Sequence, residues 1–241
     1  MTIKKTIAIF GAGAGLGASL ATRFGREGYR VALVARSAGP LEKRVAELAE
    51  DGIEAAAFPA DLTDLSGIPA LIRSIEERFG AIDVAIYSPV PSNAGFVSAV
   101  ELDSAKLQSM TPIFTYAPVE VSHALLPGML ARGDGAIVLV TGLTAILTVP
   151  GVSGVGPAMT AARNYILTLN AEVAGKGVFA GSVSIGAMIE RSTGMRIATA
   201  GGAPLDPRLP TIDPDVIADE IRNLVVKRDR VEVILPAPPQ S

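Results

Sequence analysis

Short apolar runs alternate with amphipathic stretches from one end of the chain to the other. Thr6–Phe10, Arg30–Ala35, Glu54–Pro59, Asp83–Tyr87, Gly135–Thr141, Val178–Ser184 and Val231–Leu235 are rich in Ile, Val, Ala and Phe. Strands covered by helices on both faces have this composition, because neither face meets water. Between them, Leu16–Glu27, Leu41–Glu50, Asp64–Phe79, Ser104–Ala131, Gly156–Ala174 and Pro214–Lys227 carry helical spacing. In Leu41–Glu50, Leu41, Val45, Leu48 and Ala49 share one face, and Glu42, Lys43, Arg44, Glu47 and Glu50 cover most of the other. The alternation predicts an α/β fold: a doubly wound, seven-stranded, mostly parallel sheet with right-handed crossovers and helices on both faces. Residues 186–213 break the pattern, with glycines, prolines and no sustained period. A segment so long without a period is a candidate lid over a ligand. The proline-rich tail Pro236–Ser241 is expected to fray. No internal repeat or low-complexity linker divides residues 1–241, so one domain is expected.

Composition then narrows the chemistry. Of the 241 residues, 49% are hydrophobic and 19% charged, and there is no cysteine. Disulfides, thiolate metal sites and a cysteine nucleophile are thereby excluded. His123 is the single histidine, so a multi-histidine metal site is excluded too. A formal charge of −3 removes the usual electrostatic basis for nucleic-acid binding. The mean hydropathy of +0.42 calls for a check on membrane spans. Gly135 to Ala162 holds no charged residue, but it contains five glycines (135, 142, 151, 154 and 156) together with Pro150 and Pro157. So many breakers read as a strand, a loop and a helix start. No signal-peptide pattern opens the sequence, and a cytoplasmic protein without membrane partners is the expectation. Its chemistry, if any, would come from an organic cofactor.

The first strand runs into Gly11-Ala12-Gly13-Ala14-Gly15-Leu16-Gly17, followed by an alanine-rich helix. Glycines let backbone N–H groups approach a pyrophosphate, and the helix N-terminus favours its charge. The spacing G-x-G-x-x-G fails at Leu16, whereas G-x-x-x-G-x-G fits Gly11, Gly15 and Gly17. This pattern, a Rossmann-type signature, resembles the short-chain dehydrogenase/reductase family, and the likeness extends along nearly the whole chain. Asp61-Leu62 is similar to the family's adenine-contacting pair. Tyr87-Ser88-Pro89-Val90 stands in the region of its N-N-A-G motif, and Gly135–Thr141 resembles the strand leading to its active-site serine. Ser184–Ile189 is similar to the Pro-Gly loop that touches the nicotinamide, with Ile185 in place of the proline. The resemblance implies cofactor contacts from Gly11, Gly13, Gly15, Leu16, Gly17, Asp61, Leu62, Ser88, Thr141, Gly186 and Met188. Members that prefer NAD carry an acid at the end of the second strand. Here Ala35-Arg36 stands there, and a guanidinium grips a 2′-phosphate with charge-assisted bonds, so NADP(H) is the expected cofactor.

The chemical end of the family pattern is missing. Its members reduce carbonyls with a tyrosine acid, a lysine four residues on, a serine and an asparagine. The residues four places after Tyr29, Tyr87, Tyr116 and Tyr165 are Leu33, Pro91, Glu120 and Leu169, so no Y-x-x-x-K exists. Alignment places Val155 at the tyrosine, Met159 at the lysine, Gly142 at the serine and Phe114 at the asparagine, which suggests an apolar substrate pocket. Candidate substitute donors are Thr141, Thr144 and Tyr87. Ser153 is expected to cap a helix, Arg163 to meet a partner subunit and His123 to be structural. Two readings stand open: an NADP(H)-dependent oxidoreductase with a non-standard proton donor, acting on a small apolar-leaning substrate, or a non-catalytic NADP(H)-binding sensor or partner subunit. Ser104–Ala131 and Gly156–Ala174 resemble the helices through which the family forms homodimers and homotetramers.

Overall fold

The computed structural model describes residues 4–91, 97–202, 205 and 210–237. Its sheet strands are β1 (Thr6–Phe10), β2 (Arg30–Ala35), β3 (Ala55–Pro59), β4 (Val84–Tyr87), β5 (Gly135–Gly142) and β6 (Val178–Ile185). A short pair follows, β7 (Met188–Ile189) and β8 (Thr211–Ile212), and β9 (Glu232–Leu235) completes the set. The seven-stranded sheet has the order β3-β2-β1-β4-β5-β6-β9, with every pairing parallel, while β7 and β8 form a separate ribbon. All five residues of β1 and all eight of β6 are buried, as strands enclosed on two faces must be.

Helices α1 (Leu16–Gly25), α2 (Ala38–Glu50) and α3 (Ile68–Phe79) alternate with the first strands. The chain continues through α4 (Ser104–Thr111), α5 (Ala117–Arg132), α6 (Gly156–Val173), α7 (Thr193–Ala198) and α8 (Pro214–Lys227). One core lies under α3, α5 and α6, around Phe10, Phe79, Val121, Met129 and Ile166. The other lies under α1, α2 and α8, around Leu20, Phe24, Leu33, Val183 and Ile221.

Two expectations are corrected. The single helix predicted over Ser104–Ala131 is interrupted by a π-helical turn at Pro112–Tyr116, where the Ala117 N–H reaches the Pro112 carbonyl five residues back. Pro112 has no N–H to continue the regular ladder, and the wider turn absorbs the gap. The 186–213 segment is also less irregular than its sequence suggests, since it contains β7, α7 and β8. Ser192 caps α7 by accepting from the Met195 N–H. Residues 203–204 and 206–209 of that segment, and 238–241 of the tail expected to fray, lie outside the described residues.

Candidate functional site

β1 lies between β2 and β4, so the chain leaves neighbouring strand ends in opposite directions and a crevice opens at their carboxyl edge. The glycine turn lines it. The N–H groups of Gly11 and Ala12 both donate to the Val34 carbonyl, each at 2.9 Å. Gly11 has φ +96°, and a Cβ there would stand 2.5 Å from the Pro89 nitrogen. A Cβ on Gly17 would meet Ala12 Cα at 2.7 Å, so this glycine seats α1 against the turn. The second glycine of the spacing, Gly15, faces Ser192 at 3.0 Å, because the chain beyond β6 crosses it. Gly13 is different: a Cβ there meets nothing closer than 4.0 Å, and the residue is exposed. The three crowded glycines are those of G-x-x-x-G-x-G. Leu16 is buried beneath α1.

The first turn of α1 can hold an anion. Gly15 brings no side-chain cap, and no acidic residue occurs in the turn. Among the described residues, the N–H groups of Gly15, Leu16 and Gly17 have no backbone acceptor. Unpaired amides at the positive end of a helix suit a phosphate. Arg36 lies beside them at the end of β2, exposed, and none of the ion pairs among the described residues uses it. Asp61 follows β3. Hydrogen bonds from the Thr63 N–H (2.9 Å) and Thr63 hydroxyl (2.8 Å) hold its carboxyl below the usual range, with a smaller push from Arg36. Leu62 is buried behind it. Ser88 folds back on β1, its N–H donating to the Phe10 carbonyl at 2.8 Å. Val90, where the family has glycine, is 70% exposed.

The residues aligned to the missing acid–base group do come together. Gly142 ends β5, and its N–H donates to the Met159 sulfur at 3.3 Å. A Cβ on Gly142 would have Thr144 Oγ1 at 3.4 Å and Met159 Sδ at 3.5 Å. Val155, Met159 and Phe114 are buried in the same apolar core, Phe114 within the π-turn. Thr141 is buried, its hydroxyl 2.8 Å from that of Ser184. Gly186 approaches Leu143, and the Met188 N–H donates to the Pro210 carbonyl.

Other candidates have structural engagements. The buried Tyr87 hydroxyl donates to the Ile113 carbonyl at 2.5 Å, and burial pushes its pKa up. Ser153 does not cap α6, whose N-cap is Val155; instead its N–H donates to the Val97 carbonyl. Arg163 is engaged within its own chain, in a two-pronged pair with Glu232 at 2.5 and 2.6 Å. His123 is exposed and shares a groove of about 320 Å³ with Arg73, Glu76 and Glu120, between α3 and α5. A second cavity, of about 210 Å³, lies at the opposite sheet edge, where Lys5 and Arg228 pair with Asp134. Neither cavity includes a predicted site residue. Among the described residues no group of three or more acids and histidines could hold a metal, and no helix is long and apolar enough to cross a membrane.

Sequence reading missed the contacts beyond β6. Arg191, at φ +59°, pairs with Asp213 (2.6 Å) and Asp215 (2.8 Å). Hydrogen bonds from Ser19 and Arg191 keep the Asp215 carboxyl below its ordinary range and tie this segment to α1 and α8. No local pattern signals such a tie.

An all-parallel doubly wound sheet with a glycine-rich turn after its first strand defines a Rossmann-like α/β protein. The short chain dehydrogenase pattern matches residues 5–199, and the chain belongs to that family. It is 30% identical over 200 residues to 2-(S)-hydroxypropyl-CoM dehydrogenase 3 of Xanthobacter autotrophicus, covering 83% of this chain and 78% of that one. It is 27% identical to a dehydrogenase/reductase SDR family protein 7-like of Drosophila melanogaster, covering 93% and 71%. In structure it is similar to an alcohol dehydrogenase from the archaeon Thermococcus sibiricus complexed with 5-hydroxy-NADP: TM-score 0.82, 26% identity, 99% and 98% covered.

Proposed function

We propose that this chain is an NADP(H)-dependent oxidoreductase whose proton donor is not the family's tyrosine–lysine pair. The observation that carries the reading is the unpaired first turn of α1 with Arg36 at the adjacent strand end. In this arrangement the free N–H groups of Gly15, Leu16 and Gly17 take the pyrophosphate, and Arg36 takes the 2′-phosphate. Asp61 and Leu62 border the adenine, and Ser88, Thr141, Gly186 and Met188 border the nicotinamide. The archaeal alcohol dehydrogenase complexed with an NADP derivative, similar over nearly the whole chain, supports the cofactor assignment. Bound there, the cofactor supplies or accepts a hydride. The chain's own residues orient it and enclose a small apolar-leaning substrate among Phe114, Gly142, Val155 and Met159. Residues 186–213 serve as the lid, a homodimer or homotetramer is the working form, and the reaction is placed in the cytoplasm.

Met159 cannot hold a ribose by charge, and its contact with the Gly142 N–H fills part of the space where the family works on its substrate. That contact favours a second reading, NADP(H) binding without turnover. Titration calorimetry with NADPH, followed by NADPH consumption on a panel of apolar ketones and enones, separates the two. Binding with turnover supports the first and binding without turnover the second. Failure to bind NADPH at micromolar concentration overturns both.

A further inference from the structure

Several hydroxyl groups of β4, β5, the π-turn and α6 are already engaged. Thr141 pairs with Ser184, Thr115 donates to the Ala158 carbonyl at 2.8 Å, Thr160 donates to the Gly156 carbonyl at 2.9 Å, and Tyr87 donates to Ile113. Thr144 differs. Its hydroxyl donates to no acceptor among the described residues, the residue is partly exposed, and Oγ1 borders the space a side chain on Gly142 would fill. Beyond the neighbours of Gly142 in the chain, the other atom among the described residues within 4 Å of that point is the Met159 sulfur, whose lone pair already accepts the Gly142 N–H. No side chain from Gly135 to Ala162 is ionisable, and the guanidinium of Arg163 is bound to Glu232.

We infer that Thr144 is the hydrogen-bond donor that holds the reacting oxygen of the substrate, and that the site is built for a conjugated carbonyl, an apolar α,β-unsaturated ketone or aldehyde. The inference rests on the NADP(H) reading above and concerns the chemistry that follows. An isolated ketone that gains a hydride becomes a localised alkoxide, which needs an acid at hand as it forms. An alcohol such as threonine can donate a hydrogen bond but cannot surrender its proton at neutral pH. In a conjugated carbonyl the hydride from the reduced nicotinamide adds to the β-carbon. The C=C pair shifts to make a new C=C between the α-carbon and the carbonyl carbon, and the C=O π pair moves onto oxygen. The product is a delocalised enolate, stabilised by a fixed hydroxyl and later protonated at the α-carbon by water. NADPH and one proton are consumed, and the saturated carbonyl and NADP⁺ are formed. Exposed apolar side chains follow several strands, Val90 after β4, Leu147 after β5 and Ile197 in α7. They suit an alkyl chain on the substrate.

The test compares 3-nonen-2-one with 2-nonanone, substrates that differ by the double bond. NADPH affinity is measured separately by calorimetry. The wild type is expected to consume NADPH with the enone at least about a hundredfold faster than with the ketone, since the ketone lacks its acid. In D₂O the product should carry solvent deuterium on the α-carbon. Thr144→Val should lower kcat on the enone by about 10²–10³ while leaving NADPH affinity unchanged, and Thr144→Ser should recover most of the loss. As a readout apart from turnover, 4-nitrophenol bound to the NADP⁺ complex should ionise at lower pH in the wild type than in Thr144→Val. Equal rates on ketone and enone, an active Thr144→Val, or tight NADPH binding with no reduction of the enone would each overturn the inference while leaving the cofactor reading intact. Absence of NADPH binding would remove both.

Discussion

At the scale of single residues, the polar groups that remain free are more informative than those that are buried. Arg36 is exposed at the end of β2 with no ion pair among the described residues, beside a carboxylate committed to Thr63. A charge-assisted bond to a phosphate is worth about 1.5–3 kcal/mol, roughly ten- to more than a hundredfold in affinity. NADPH should therefore bind more tightly than NADH, and Arg36→Ala should remove most of the difference. Equal calorimetric affinities for the wild type would contradict the assignment. Tyr87 makes the opposite case. Its hydroxyl serves the Ile113 carbonyl in the π-turn, so Tyr87→Phe leaves a buried acceptor unpaired. A loss of about 1–3 kcal/mol in denaturant unfolding is expected, with enone reduction unchanged at temperatures where the variant is folded. A rate loss beyond about tenfold would instead make Tyr87 part of the chemistry.

At the scale of elements, the β1–α1 connection is shaped as much by packing as by any ligand. Gly17 gives way to Ala12, Gly15 to Ser192 and Gly11 to Pro89, whereas Gly13 faces open space. Gly17→Ala should consequently cost about 1–3 kcal/mol through overpacking and weaken NADPH binding by tilting the helix amides. Gly13→Ala should stay within about 0.5 kcal/mol of wild type, as substitutions without close neighbours do. Paired thermal melts and NADPH titrations of the two variants would expose an error if Gly13→Ala proved the more harmful. The break between α4 and α5 is an element-scale event as well. Phe114 within it is buried in the core, and the Ile113 carbonyl within it accepts from the Tyr87 hydroxyl.

For the whole molecule, α5 and α6 stand on one face of the sheet with Tyr116 half exposed where α5 begins. We propose that a second copy covers this face around a two-fold axis, the commonest symmetry for identical subunits. Light scattering at micromolar concentration should give the mass of a dimer or tetramer of the 24.8 kDa chain. A monomer would remove the proposal. Arg163, expected to reach across such an interface, is held by Glu232 of its own chain. Arg163→Ala should thus act through monomer stability.

Period and punctuation determined most of the architecture without help from tertiary contacts. The bounds of β1, β2 and α8 are those read directly from the chain, because a fully apolar strand or a capped amphipathic helix declares itself in consecutive residues. The glycine spacing and the absence of any Y-x-x-x-K were equally legible, since both are matters of position along one short stretch. Tertiary structure alone decided which polar groups are spoken for. Thr141 meets Ser184 across β5 and β6, Tyr87 reaches a carbonyl freed by a distant π-turn, Ser192 lies on Gly15, and Thr144 is left over beside Gly142. Residues far apart in the chain make those pairings, and a hydroxyl looks the same in sequence whether its hydrogen bond is satisfied or still to be made.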